Sequence, residues 1–285
     1  MKSRLVMFTI LLFLSKLGFA LSVADKAMFK AVKKGNYKAV VKALNRGANV
    51  NAKDKNTITA LHWAAQYDYL KIAELLITKG AKVNSKTSTG ISPLHAAIHI
   101  GNIKITRLLL NNGAQINIKM TKAIHRLLPH LHMALSYGRD KIAKLLIDRG
   151  ADVNLKSYYG FTPIFSIAFS GNVKIAKLLI AKGAKVNVKV TKGRYKGFTP
   201  LHWATLFDSY KVARLFIDKG ADINAANKDG ETPLHIAVSK QKYKIIELLL
   251  NKGANTNIKN NKGKTPIKLT KDEKIKIILK MHGDK

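Results

Sequence analysis

Nine histidines in 285 residues are the side chains best able to move protons or hold a metal at neutral pH. Five of them, His62, His95, His132, His202 and His235, each follow a leucine at one place in a recurring pattern. A catalytic group is needed once, whereas a residue that returns with the period of the chain serves the repeating unit, so these five read as structural. His125, His130 and His132 fall close together. No carboxylate or thiol accompanies them at ligand spacing, and three loosely spaced imidazoles do not define a coordination shell. The absence of cysteine excludes disulfides, thiolate metal sites and a cysteine nucleophile. The sequence has no glycine-rich phosphate loop, no H-E-x-x-H and no G-x-S-x-G. No catalytic residue, cofactor or metal is expected, and the chain does not read as an enzyme.

The elements that place the histidines are clearest between Gly197 and Asn224. Thr199 can cap a helix that begins at Pro200, where a missing N–H is harmless. Leu201, Trp203 and Ala204 give a short apolar face; Asp208 and Ser209 interrupt it; Val212, Ala213, Leu215 and Phe216 restart it on a second helix. Gly220 closes that helix as a left-handed cap. Neither helix has enough apolar surface to stand alone, so the pair must stack on copies of itself. The closing glycines, Gly47, Gly80, Gly113, Gly150, Gly183, Gly220 and Gly253, are 33, 33, 37, 33, 37 and 33 residues apart, and an asparagine stands four positions after each. The two 37-residue spacings place four extra residues within 118–128 and 188–197.

With Thr-Pro-Leu-His at residues 199–202 and 232–235 and Ser-Pro-Leu-His at 92–95, the pattern resembles the ankyrin repeat, T-P-L-H-x-A at a 33-residue period. More narrowly it is similar to secreted bacterial ankyrin-repeat proteins. The resemblance implies an all-α repeat solenoid of stacked helix pairs with short β-hairpin fingers. It further implies an N-terminal cap at about 24–55, six internal repeats over about 56–261 and a C-terminal cap at about 262–285. Each motif imidazole should bridge to the backbone of the adjoining repeat; Phe165 stands where the fifth repeat would have one, so a ring should pack there instead.

Residues 1–20 do not belong to the array. Lys2 and Arg4 precede an apolar run from Leu5 to Leu14, and Gly18 and Ala20 occupy the positions a signal peptidase reads. The expectation is a cleaved signal peptide over 1–20 and an exported protein, periplasmic or secreted, formed by 21–285. The alternative is a membrane anchor over 5–20, against which Lys16 cuts the apolar run short of the roughly 20 residues that span a bilayer.

Net charge is +35. A lysine lies nine residues before every closing glycine, at Lys38, Lys71, Lys104, Lys141, Lys174, Lys211 and Lys244. This is the first turn of the second helix, where the macrodipole favours anions, so local helix physics would not select it. An anionic partner would: an anionic lipid surface or, less well, nucleic acid. Against that, lysines number 43 and arginines 8, a ratio that A/T-rich codon usage produces and that phosphate recognition by bidentate guanidinium would not favour.

The resemblance implies a protein-binding scaffold that acts as a monomer, with contacts on the fingers and the exposed side of the first helices. At those positions stand Tyr137 in the fourth repeat, Tyr158, Tyr159, Phe161 and Phe169 in the fifth, and Phe198, Leu206 and Phe207 in the sixth. Aromatic residues dominate interface energetics, so these are the candidate contacts. Lys122 and Arg126 on one long finger and Lys192, Arg194 and Lys196 on the other would flank them and favour an acidic rim on the partner protein.

Overall fold

A computed structural model describes residues 21–118 and 128–283. The expected signal peptide or anchor, and His125, Lys122 and Arg126 on the first long finger, lie outside the described residues. The chain forms two compact bodies, one ending at Ala114 and the other beginning at Gln115.

In the first body, three helix pairs follow one another: α1 (Val23–Lys33) with α2 (Tyr37–Asn45), α3 (Ala60–Gln66) with α4 (Leu70–Thr78), and α5 (Pro93–Ile100) with α6 (Ile103–Asn111). The second body has four pairs: α7 (His130–Ser136) with α8 (Asp140–Asp148), α9 (Pro163–Ser170) with α10 (Val173–Ala181), α11 (Pro200–Leu206) with α12 (Tyr210–Asp218), and α13 (Pro233–Ser239) with α14 (Tyr243–Asn251). A 3-10 turn, Pro266–Leu269, and α15 (Glu273–Gly283) follow. Within each body the first helices pack side by side in one row and the second helices in another. Each second helix buries one stripe. On α12, Val212, Ala213 and Phe216 are fully enclosed, which stabilises by about 1.5–3 kcal/mol for each large side chain.

The periodic residues carry the joints. Gly220 adopts φ +83°, the left-handed conformation that closes α12. The asparagine after each of the first six glycines ties its repeat to the next: Asn154 donates to the Gly183 carbonyl at 2.8 Å and accepts from the Lys185 N–H at 2.9 Å. Asn51 makes the same pair of bonds to Gly80 and Lys82.

The expected β-hairpin fingers are not strands; among the described residues there is none. A hairpin rung needs reciprocal backbone bonds, and here a side chain takes one of them. The Asp54 N–H donates to the Ile58 carbonyl at 2.9 Å, but the Ile58 N–H returns to Asp54 Oδ1 at 3.0 Å. Thr87, Ser157, Asn227 and Asn260 supply the same side-chain oxygen in their fingers. The long finger of the sixth repeat has Val190 at this place, with no oxygen to offer. It closes by backbone alone, Val190 N–H to Phe198 O at 2.9 Å and Gly197 N–H to Val190 O at 2.8 Å.

Candidate binding surface

The motif histidines hold this surface in register. His202, fully buried between α11 and the next finger, accepts from the Thr199 hydroxyl at 2.8 Å and the Thr199 N–H at 3.1 Å on Nδ1. Its Nε2–H donates to the Glu231 carbonyl of the following repeat at 3.0 Å. This is a capping box with an imidazole in place of the usual Glu or Gln, and its outer nitrogen reaches on to the neighbour. His62 and His235 repeat both bonds, and His95 repeats the bond to its cap, Ser92. The ring must be neutral to accept on one nitrogen and donate from the other. Burial accordingly lowers the pKa of His202 and of His132 to about 4, and lowers those of His62 and His235.

Two adjoining repeats break this arrangement. In the fourth, Pro129 occupies the cap position and brings neither hydroxyl nor N–H, so His132 keeps its bond to the Phe161 carbonyl at 2.9 Å while its buried Nδ1 has no partner. The displaced His130 turns inward, its Nδ1–H on the Ile116 carbonyl at 2.8 Å. In the fifth, Phe165 replaces the imidazole, and the Thr162 hydroxyl that would have met it is buried without a partner. The Phe165 ring packs edge-on against Phe161 at 5.2 Å and Trp203 at 6.3 Å, so an apolar joint replaces the hydrogen-bonded one.

Over these two repeats lies an open cleft of about 570 Å³. Its walls come from the fourth repeat (Leu128, His132, Ser136), the fifth (Ser157, Tyr159, Phe161, Phe165, Ser166, Phe169) and the sixth (Trp203, Phe207). Tyr159, Phe169 and Phe207 are largely exposed, and Phe169 meets Phe207 edge to face at 4.8 Å. The rings therefore form one surface.

The remaining sequence candidates divide. Phe161 is half-buried in the same wall. Tyr158 is half-buried against Tyr159 and lies under Lys192 Nζ, 4.3 Å from its ring centroid. Phe198 is buried at 8% exposure and tilted over His202. Phe198 and half-buried Leu206 border a neighbouring groove whose wall also carries Asp229 and Glu231. Tyr137 is exposed at the end of α7 but does not line the cleft. Arg194 covers Tyr195, whose ring is 4.7 Å from Trp203, and Lys196 is exposed on the same finger. Sequence reasoning read Trp203 and Phe165 as packing residues rather than as part of this surface and passed over Tyr195 and the serines; the register of Ser166 and Trp203, each one residue after the motif position, is the signal that could have placed them here.

A family model for ankyrin repeats (three copies) matches residues 27–120, 131–227, 188–260 and 224–270, nearly the whole described chain. The chain belongs to the ankyrin-repeat family. Among curated proteins none matches it. Ankyrin repeats are protein-interaction scaffolds, and this ankyrin array carries the helix pairs, closing glycines and bridging histidines on which such a scaffold depends. Among the described residues no three His, Cys, Asp or Glu side chains converge as a metal site, and no helix is long and apolar enough to cross a membrane. All seven periodic lysines are exposed on the second helices, and none of them lines the cleft.

Proposed function

We propose that this ankyrin protein is a non-catalytic scaffold that captures one partner protein on the aromatic surface of its fourth to sixth repeats. The observation that carries the reading is the exposed ring set of Tyr159, Phe169 and Phe207 gathered around an apolar cleft, on a chain rich in lysine. A folded protein seldom leaves contiguous rings in water without a partner to cover them. Lys192, Arg194 and Lys196 flank the rings and favour an acidic rim on that partner. The binding chain is residues 21–285, acting as a monomer and exported after loss of residues 1–20; N-terminal sequencing of exported protein should begin near Leu21.

The test is capture of a partner identified by pull-down and then purified. Tyr159→Ala combined with Phe207→Ala should abolish capture at an unchanged melting temperature, while Lys71→Ala with Lys244→Ala should leave it intact. The alternative, a charge-driven binder of anionic lipid or nucleic acid through the periodic lysines, predicts the reverse, with affinity falling steeply as salt rises.

A further inference from the structure

Ser166, a small side chain, lines the cleft. Ser166 stands at the register that Trp63 holds in the second repeat and Trp203 in the sixth. A tryptophan at this register leans on the preceding repeat. Trp203 packs on Phe161 and Phe165, and Trp63 lies beneath Lys33 of the first repeat, whose counterpart in the fourth is Ser136. Ser166 meets Ser136 through a single hydroxyl contact of 3.2 Å, and the space an indole would fill beside it is open. The two hydroxyls satisfy one bond between them and keep further acceptor and donor capacity. Among the described residues no charged side chain lines the cleft, while Lys192 and Arg194 stand over the neighbouring tyrosines.

Resting on the protein-binding reading above, we propose that the cleft receives one aromatic side chain of the partner, tryptophan or tyrosine, from an acidic segment. The guest ring takes the place that the array's own tryptophans fill elsewhere. Its edges meet Phe165, Phe169 and Trp203, and its polar N–H or O–H reaches the Ser136–Ser166 pair. The ring fits because the walls are aromatic and edge-on contacts are open. The segment is acidic because Lys192 stands at the rim with no carboxylate among the described lining residues of the cleft to neutralise it.

The probes are N-acetyl-tryptophanamide, N-acetyl-alaninamide and the peptides Asp-Trp-Glu and Lys-Trp-Lys, titrated into the labelled full chain and read by NMR. The expected result is saturable shifts in residues 157–169 and in the Trp203 indole N–H with the tryptophan probes, none with the alanine probe, and several-fold tighter binding of Asp-Trp-Glu than of Lys-Trp-Lys at low salt. Ser166→Trp should fill the site from within and remove the shifts; Ser166→Leu, which half fills it, should weaken them and serves if the larger variant fails to fold. Absence of saturable shifts, their persistence in a folded Ser166→Trp chain, or equal affinity for the two peptides overturns the inference. The identified partner separates the two levels of the proposal. Capture lost with Tyr159→Ala and Phe207→Ala but kept by Ser166→Trp refutes the cleft alone, whereas capture lost in neither refutes the aromatic surface as a whole.

Discussion

His202→Ala and His132→Ala remove the same side chain from the same motif position, yet the two should differ in cost. At His202 the change strips the buried Thr199 of the acceptor for its hydroxyl (2.8 Å) and its N–H (3.1 Å). A buried donor left unpaired costs about 1–3 kcal/mol, and the imidazole-sized void adds to that. The Glu231 carbonyl suffers less, because it also accepts from the Asn227 N–H at 3.0 Å. A loss of about 3–5 kcal/mol follows from these terms. At His132, Pro129 has no donor to orphan, the Phe161 carbonyl retains the Ser157 N–H at 2.8 Å, and the unpartnered Nδ1 is removed along with the ring. The loss there should be about 1–2 kcal/mol. The gap of about 2 kcal/mol corresponds to roughly 4–8 °C in melting temperature for a chain of this size, well within the reach of scanning calorimetry. Conversely, Pro129→Thr should restore the cap and raise stability by about 1 kcal/mol. Equal losses at the two histidines, or a larger one at His132, would refute the assignment of Nδ1 to cap recognition.

Acidification should unfold the protein through the same rings. His132 and His202 titrate near 4 in the fold and near 6.5 when exposed, so below pH 6.5 the unfolded chain binds protons that the native one refuses. Stability, full above pH 6.5, should fall as the pH drops toward 4, and urea midpoints measured across that window should show a shallower fall in a His202→Ala chain. Gly197→Ala should cost more than Gly183→Ala although both sit near φ +85°: a Cβ at 197 would lie 2.6 Å from the Lys228 backbone nitrogen, while at 183 it meets nothing within 4 Å. Thermal melts should place the first loss at about 2 kcal/mol or more and the second near 1 kcal/mol, the cost of the left-handed conformation alone.

The fold was legible because period and chemistry agreed. A glycine, an asparagine and a Leu-His pair in fixed register leave little choice of architecture, and the substitution of Phe165 announced the missing bridge in advance. The fingers misled because the residues at 54, 87, 157, 227 and 260 carry side-chain oxygens that replace a backbone rung, and an expectation carried over from the family does not weigh that competition. Among the candidate contacts, the burial of Phe198 and the exposure of Phe169 follow from which way each ring leans, which spacing does not fix. The cleft was hidden for a deeper reason. It combines a small side chain, Ser166, at a register that holds Trp203 in the next repeat, with the way Trp203 leans on Phe161, which spacing does not fix.

The side-chain oxygens that close the fingers also bear on aggregation. A hairpin with a full ladder ends in an edge, a row of N–H and C=O groups that can template pairing with a second molecule. In the short fingers described, one N–H of that row turns inward to Asp54, Thr87, Ser157, Asn227 or Asn260, which leaves each finger a shorter row to extend. For a chain that holds rings open to water beside those tips, this narrows one of the two common routes to self-association and leaves the other, apolar contact, to be covered by the proposed partner.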